Sequence, residues 1–514
     1  MLLKEKIKRC LAKYLQEKDW TIAGWSIDIP KDRANGDYAA NICFLLSKLL
    51  RKAPHQIADD ISNEIDTYFS KNDLKGVDVS ALRGFINFSI QTELCYEYIS
   101  QETFSQNIIK SDEKILLEYV SANPTGPLHI GHGRWAALGD SLARILKHVG
   151  YQVATEYYIN DAGNQINNLL KSVEAVRNNK PLPTDGYAGD YVKDLVDSTD
   201  PIEKIRLSQE KTLKEFHVVF DDWYSEKKNL HETKEVEKAI TKIEKEGLCY
   251  KKDNALFFKT TDFGDDKDRV LIKENGLYTY FAADIAYHYL KYKRGYNRLI
   301  NIWGADHHGY IKRVEAGLKA VTGKNAVLEV LLGQLVTLYR EGKEVRMSKR
   351  TGEMITLNEV MTEIGVDATR FYLVLKSADI HLDFDLDLAK KQSNDNPVFY
   401  VQYAHARISS IIRKSEYKPT FHPKEELKEQ ELKLIKYILS FEDELLLSAQ
   451  KREPHRIANY LLELANLFHS FYHVCKVNVD DKKIAENRLA IINKVKDIIS
   501  IGLTLLGVSA PENM

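Results

Sequence analysis

The sequence predicts a doubly wound α/β domain set between a small N-terminal α+β domain and a C-terminal all-α helical bundle. Three observations predict it. A short, nearly continuous apolar run, KILLEYVS (114–121), leads through a Pro/Gly-rich loop into a helix pattern, as a strand buried on both faces of a parallel sheet would. A second strand–loop–helix unit begins at RLINIWG (298–304). From about residue 390 strand patterns stop and long amphipathic helices follow. At 514 residues the chain has room for about 3–4 domains.

In the N-terminal part, 1–110, Leu3, Ile7, Leu11 and Leu15 recur at four-residue spacing and mark one face of a helix. Residues 29–41 carry Pro30 and an Asn35-Gly36 pair and read as a loop. Ile42, Leu45, Leu46, Leu49 and Leu50 mark a second helix that ends before Pro54. ALRGFINFSI (81–90) alternates and reads as a strand. In the central part, 111–390, Leu138, Leu142, Ile145, Leu146 and Val149 share a helix face, and Gly150 stands where a C′ residue belongs. Val314, Leu318 and Val321 repeat the pattern after the second glycine-bearing loop, ADHHG. The charged stretch between the two units, about 165–260, reads as a mostly helical insertion into the sheet domain. In the last part, 391–514, VFYVQYAHARISSIIRK, ELKLIKYILSFEDELLLSAQ, RIANYLLELANLFHSFYHV and RLAIINKVKDIISIGLTLLG predict four bundle helices.

Hydrophobic residues make up 44% and charged residues 29%, which excludes wholesale disorder and a disulfide-stapled mini-scaffold. A formal net charge of −1 argues against a polybasic binder, while leaving room for a local basic path. Cys10, Cys43, Cys95, Cys249 and Cys475 are odd in number, widely spaced and without a CxxC pair. Inert thiols are therefore expected, with no disulfide framework and no structural zinc or other metal site. The first twenty residues meet a charge every few positions, and no apolar run approaches the ~20 residues a membrane span needs. A soluble, cytoplasmic chain is expected, with no membrane partner, and a monomer, since nothing marks an interface.

The chemistry concentrates in two segments. His129-Ile130-Gly131-His132 opens the helix that follows the first strand. A helix N-terminus offers unpaired N–H groups and the positive end of the dipole to an anion. Gly131 and Gly133 would let a phosphate or an adenine ring approach the backbone. Two imidazoles three residues apart can donate to a phosphoryl group whose charge changes in the transition state. The bland alternative, surface or metal-binding histidines, lacks a carboxylate or cysteine at ligand spacing. The second segment, Arg346-Met347-Ser348-Lys349-Arg350-Thr351-Gly352, follows the apolar run QLVTLY (334–339) and Gly342. Alone it reads as a solvated basic loop; with the histidine turn it can gather around a polyphosphate.

HIGH together with an MSK-type loop resembles the class I aminoacyl-tRNA synthetases. SANPTGPLHIGHGR (121–134), YINDAGNQI (158–166), WGADHHGY (303–310), HLDFDLDLA (381–389), NPVFYVQYAHAR (396–407) and LLGVSAPENM (505–514) narrow the resemblance to the bacterial type of arginyl-tRNA synthetase. NGDYAAN (35–41) is similar to that family's added N-terminal domain. The resemblance implies a Rossmann-like catalytic domain, an N-terminal domain that touches tRNA and a bundle that reads the anticodon. It implies a ligase that activates arginine with ATP and passes it to the terminal adenosine of tRNA, releasing pyrophosphate and AMP. Mg2+ would accompany ATP, and no zinc is implied.

Carried over by resemblance, His129 and His132 would stabilise the α-phosphate and Lys349 the departing pyrophosphate. Pro124, Gly131, Gly133, Gly304, Asp306, Met347, Ser348 and Lys349 would border ATP. Position 346 is Arg rather than Lys and 350 is Arg rather than Ser, so this chain departs from the class pattern KMSKS while keeping the second lysine. Glu226, Tyr280 and Asp284 would take the guanidinium, a planar fork that selects carboxylates, and Ser121 and Asn123 the α-amino end. Unaided by the resemblance, Glu226 and Asp284 read as ordinary surface carboxylates. Asn35, Gly36 and Tyr38 would touch the tRNA from the N-terminal domain, and Tyr400, Tyr403 and Tyr460 from the bundle. Core packing competes as a reading for each bundle tyrosine. His307 and His308 read as structural. Two rival functions are a small-molecule nucleotidyltransferase, which the long insertion and bundle disfavour, and a non-catalytic RNA-binding paralogue, which intact HIGH and Lys349 disfavour.

Overall fold

A computed structural model describes residues 3–30, 32–72, 74–100, 107–323, 325–345, 355–423 and 425–514. Met347, Ser348 and Lys349 lie outside the described residues.

The chain opens with α1 (Leu3–Glu17), β1 (Ile27–Asp28), β2 (Tyr38–Ala40), α2 (Ile42–Leu50), α3 (Pro54–Lys71), β3 (Val77–Leu82), β4 (Phe85–Ile90) and α4 (Thr92–Ile99). The four strands form an antiparallel sheet in the order β1-β2-β4-β3. Leu3, Ile7, Leu11 and Leu15 are all buried, as their spacing predicts. The strand expected over 81–90 is the second half of a hairpin instead. Arg83 (φ 50°) and Gly84 (φ 85°) both take the left-handed conformation, the two-residue turn that matches strand twist. The expected loop 29–41 also yields a strand, because Tyr38 and Ala40 alternate inward onto β4.

The central region runs β5 (Lys114–Glu118), α5 (Ile130–Val149), β6 (Gln152–Ile159), α6 (Asn164–Arg177), α7 (Asp190–Lys193), α8 (Pro201–Glu215) and β7 (Asp222–Ser225). It continues through α9 (Glu235–Lys245), β8 (Cys249–Lys252), β9 (Ala255–Phe258), β10 (Arg269–Ile272), α10 (Tyr280–Lys293), β11 (Arg298–Gly304), α11 (Ile311–Thr322) and β12 (Val327–Gly333). A parallel sheet stands in the order β12-β11-β5-β6-β7, so the chain winds outward both ways from β5. β5 pairs with β11 only from Ile115↔Arg298 to Glu118↔Asn301, whereas β11 follows β12 to Gly304↔Gly333. The sheet therefore opens into a crevice beyond Glu118 and Asn301, at the point where the winding reverses. The stretch expected as an insertion is divided. Residues 222–225 supply the edge strand β7, while α9 and the antiparallel sheet β10-β9-β8 stand outside the main sheet.

A second small sheet follows, β13 (Val336–Arg340), β14 (Lys343–Glu344) and, after α12 (Leu357–Ile364) and α13 (Val366–Val374), β15 (Leu382–Asp385), in the order β14-β13-β15. α14 (Leu386–Lys390) leads to the bundle, α15 (Pro397–Lys414), α16 (Glu429–Leu439), α17 (Phe441–Lys451), α18 (His455–Val474) and α19 (Lys482–Leu505). The single helix expected over 431–450 is two. Ser440 breaks it, its N–H and its hydroxyl both donating to Tyr437 O in a tighter turn.

The bundle is not a loose appendage. Arg370 on α13 is fully buried and donates to Leu506 O (2.8 Å), to Phe216 O (2.7 Å) and to Asp140 Oδ2 on α5 (2.5 Å). The N-terminal domain docks on the bundle through Tyr38 Oη to Asp443 (2.5 Å) and Lys436 to Asp37 (2.8 Å).

Candidate active site

His129 is the N-cap of α5, with extended backbone (φ −97°, ψ 171°). Its Nδ1 accepts from the N–H of Gly131 (3.1 Å) and of His132 (3.4 Å), and the Nδ1 of His132 accepts from the N–H of His129 (3.2 Å). The two rings stack at 3.6 Å with 24° between their planes. A neutral imidazole whose Nδ1 accepts must carry its proton on Nε2. The reciprocal cap therefore places the proton of each neutral ring on Nε2, at a helix N-terminus. Gly131 is needed for the first ring, since a Cβ there would lie 2.9 Å from His129 Cε1. At Gly133 a Cβ would lie 2.6 Å from Leu357 Cδ1. Both glycines thus make room for this chain's own side chains. Leu357 N donates to Leu128 O at 2.8 Å, and a backbone bridge joins His129 to Thr356. The histidine turn is stitched to the residues that follow the basic segment.

The loop between β5 and α5 begins in strained backbone. Val120 (φ 70°) and Ser121 (φ 41°) are left-handed without being glycine, at about 1–3 kcal/mol each. Ser121 Oγ donates to Glu118 Oε1 (3.0 Å) and accepts from Tyr158 N (3.1 Å). Gln209, reaching from α8, donates to Asn123 O (3.1 Å) and Gly126 O (2.8 Å). Asn123 Nδ2 meets Gln165 Oε1 at 2.6 Å, and Pro124 is buried under the loop.

Beside this loop, at the carboxyl ends of β5, β6, β7 and β11, lies a cavity of about 620 Å3, of a size that suits a small ligand. Three carboxylates face it: Glu118, Glu226 and Asp284. Glu118 is matched, since the fully buried Lys291 lies 2.5 Å from its Oε2 and also reaches Asn301 Oδ1 at 3.3 Å. Glu226, just before a π-helical turn (Lys227–His231), accepts from the Asn160 amide at 2.9 Å and lies 3.0 Å from His231 Nε2. Asp284 accepts from the Tyr310 hydroxyl. Among the described residues neither Glu226 nor Asp284 has a lysine or arginine within ion-pair distance. Burial pushes the Asp284 carboxyl up to about 7, against the Tyr310 hydrogen bond, with the charges of Glu118 and Glu226 adding to the rise. His288 on the same helix is buried and pushed down to about 3, so it is neutral; its Nδ1 lies 2.8 Å from Asp284 O. Tyr280 stands at the mouth, 68% exposed. The cavity thus presents Glu226 and Asp284 without a lysine or arginine partner among the described residues, while Arg269 and Arg313 stand elsewhere on its lining.

The profile described as tRNA synthetases class I (R), catalytic domain, matches residues 96–196 and 188–372. That of the arginyl tRNA synthetase N terminal domain matches 1–90, and that of the DALR anticodon binding domain matches 401–514. The arginine–tRNA ligase of Anoxybacillus flavithermus is 42% identical across all of this chain and 98% of its own length, and that of Bacillus subtilis is 41% identical with the same coverage. The chain belongs to the arginyl-tRNA synthetase family. The fold agrees: the arginyl-tRNA synthetase structure from Thermus thermophilus superposes with a TM-score of 0.84 over the whole of both chains at 22% identity.

Against the residues that the family resemblance singles out, the structure gathers Glu226, Tyr280 and Asp284 around one cavity and keeps Ser121 within hydrogen-bond reach of Glu118 on its wall. Gly304 ends β11 beside Asp306, where a Cβ would come 2.5 Å from Oδ1. His307, expected as structural, lines the cavity. Glu118, Lys291, Tyr310 and Gln209 escape sequence reasoning because their partners are far along the chain. Of the tRNA candidates, Tyr38 and Tyr460 need correction. Tyr38 is 3% exposed and bonded to Asp443, and Tyr460 is 4% exposed with its hydroxyl on Tyr437 O (2.6 Å). Both are packing residues. Gly36 (φ 109°) is buried too, with its Cα hydrogens against Phe88 O. Asn35 keeps part of its surface. Tyr400 and Tyr403 do gather, with Arg407, His469 and Tyr472, around a surface hollow of about 240 Å3.

Proposed function

We propose that this chain joins arginine to its tRNA in two steps, the arginine carboxylate attacking the α-phosphate of ATP to give arginyl-adenylate and pyrophosphate, and a ribose hydroxyl of the terminal adenosine then taking the arginyl group and releasing AMP. The observation that carries the reading is the cavity lined by Glu226 and Asp284, neither with a lysine or arginine partner among the described residues, at the crevice end of the sheet beside the histidine-capped helix. A guanidinium docks there with bidentate geometry, and lysine is disfavoured because its single nitrogen leaves fork acceptors unpaired. The Nε2–H groups of His129 and His132 meet the charge that builds on the α-phosphate, and Lys349 meets the departing pyrophosphate. Positioning and preorganised charge supply the rate, with no covalent enzyme intermediate. Mg2+ enters with ATP, held by phosphates and water.

The division of labour follows the three parts: 1–110 and 391–514 hold the tRNA, and 111–390 carries the chemistry. The aromatic–arginine hollow at Tyr400 and Tyr403 suits stacking of splayed bases. On the N-terminal domain Phe44 and Phe85, 41% and 39% exposed with rings 4.8 Å apart, offer a second stacking surface next to Arg83. The enzyme works as a cytoplasmic monomer. No described helix is long and apolar enough to cross a membrane. Among the described residues no group of three or more His, Cys, Asp or Glu side chains could hold a metal. The test is ATP–pyrophosphate exchange with each of the twenty amino acids, with and without tRNA. Exchange with arginine alone among them is expected; no exchange with arginine, ATP and tRNA together would overturn the reading.

A further inference from the structure

Two residues beyond the histidine turn, Arg134 is buried with 0% of its surface exposed. Its guanidinium has no carboxylate within ion-pair distance among the described residues. Nη1 donates to Gln334 O (2.9 Å) and Leu335 O (3.3 Å), and Nη2 donates to Ser377 O (2.8 Å) and Ile380 O (2.7 Å). Nε is buried with no hydrogen-bond partner among the described residues. Taking a cation out of water without a counter-ion is expensive, and burial draws this guanidinium's pKa down to about 10, still protonated at neutral pH. An apolar side chain would fill the same space at less cost, so the fork's geometry needs another explanation.

The four carbonyls belong to two loops that meet. Gln334 N donates to Ala378 O (2.8 Å) and Leu382 N to Leu335 O (3.1 Å). Each loop runs directly into a strand, the first into β13 and the second into β15, which pair in parallel from Val336↔Leu382 to Tyr339↔Asp385. From β13 the chain turns through β14, and Val345 N returns to Leu338 O (2.8 Å) just before the segment that contains Lys349. On the far side of that segment, Thr356 and Leu357 are stitched to His129 and Leu128. Both flanks of the basic segment are thus tied to the start of α5, one by backbone and one by Arg134.

We infer that Arg134 is a positioning residue for ATP, its planar fork setting the spacing between the histidine-bearing helix and the small sheet from which the basic segment departs. The inference rests on the arginine-activating reading above. The arginine cavity is lined by residues of β5, β6, β10, α10, β11 and α11 and the segments beside them, and none of the four carbonyls that Arg134 holds belongs to that lining. Losing the fork therefore separates ATP from arginine. Lysine keeps the charge but gathers its donors on one nitrogen and cannot span both loops.

The experiment measures three quantities in the full chain: arginine affinity by calorimetry without ATP, the KM for ATP in arginine-dependent exchange, and the melting temperature. Arg134→Lys is expected to raise the KM for ATP at least tenfold while arginine affinity stays within twofold of wild type. Asp379→Asn, which at an exposed site weakens the contact with Ser377 Oγ and removes a charge that favours the Arg134 cation, is expected to shift the KM in the same direction by a smaller factor. An unchanged KM for ATP in Arg134→Lys, or a parallel loss of arginine affinity, would overturn the inference. Should Arg134→Lys fail to fold, Asp379→Asn decides by the same two readouts. Failure of the wild type to exchange arginine at all would instead overturn the underlying function.

Discussion

Arginine binding should expel a proton from Asp284. This carboxyl sits at about 7, raised by burial first and then by its neighbours Glu118 and Glu226. The titratable and charged groups that face it come from several elements. Glu118 comes from β5 and is neutralised by Lys291; Tyr158 comes from β6, Glu226 follows β7, and Tyr310 and Arg313 lead into α11. Arg269 from β10 and His307 after β11 share the lining, and on its own helix stand Tyr280, Tyr287, neutral His288 and Lys291. A guanidinium seated on Asp284 favours the ionised form, so the carboxyl titrates well below 7 in the complex. Affinity then falls as pH drops through 7 and levels off above it. Between pH 8 and pH 6 the loss is about tenfold, or ~1.4 kcal/mol. Near pH 7 about half a proton leaves per arginine bound. Calorimetry in two buffers of different ionisation enthalpy counts that proton directly. A dissociation constant flat from pH 6 to 8, with no buffer dependence of the heat, would refute the reasoning. Asp284→Asn should weaken arginine by about 2–5 kcal/mol, and abolish the pH dependence. The same variant should stabilise the ligand-free chain. The folded pKa lies above the unfolded 3.8, so the stabilising protonation is complete below 3.8 and is lost as pH rises through about 7. At pH 8 wild type carries nearly the full penalty, on the order of 4 kcal/mol, which asparagine lacks.

Lys291→Met strands Glu118 in a buried site and should cost about 3–5 kcal/mol in urea unfolding. Adding Glu118→Gln should restore most of that stability without restoring arginine affinity. His129→Ala removes a helix cap and a phosphoryl donor together, and should slow arginine activation by about 100–1000-fold with arginine affinity unchanged. Because each histidine ring is held by the other's backbone, the double variant with His132→Ala should be little slower than either single, as read by single-turnover adenylate formation. Phe85→Ala removes a stacking surface of about 1–3 kcal/mol and should raise the KM for tRNA while leaving arginine affinity intact.

The parts of the fold that were legible in the sequence are those whose signal is local. Apolar runs before glycine loops mark β5 and β11, and four-residue spacing marks α1 and α5. β7 was hidden because its four residues, DWYS, sit in charged sequence and present no run long enough to read. The Arg83-Gly84 turn was hidden because alternation continues through it, and the Ser440 break because the apolar spacing of α16 passes into α17 almost in phase. Within the site, the motifs pointed to the histidine turn. The buried Glu118–Lys291 pair at the wall of the cavity spans 173 residues, and no spacing rule reaches that far. Spacing also cannot tell whether a tyrosine faces solvent. Tyr38 and Tyr460 look like RNA contacts by type and are hinges of packing by position.

The docking of the N-terminal domain on the bundle has a mechanical consequence. α16 and α17 supply Lys436 and Asp443 to that joint, α17 packs on α5, and residues 107–109 bind the carboxyl end of α5 through His148 O and Val149 O. The three parts are therefore braced as a triangle and not strung as beads. A triangle of struts cannot change one angle alone. α15, which carries the hollow at Tyr400 and Tyr403, packs on α13, and α13 packs on α5, so a push on that hollow would meet the helix whose first turn holds His129 and His132 through side chains already in contact.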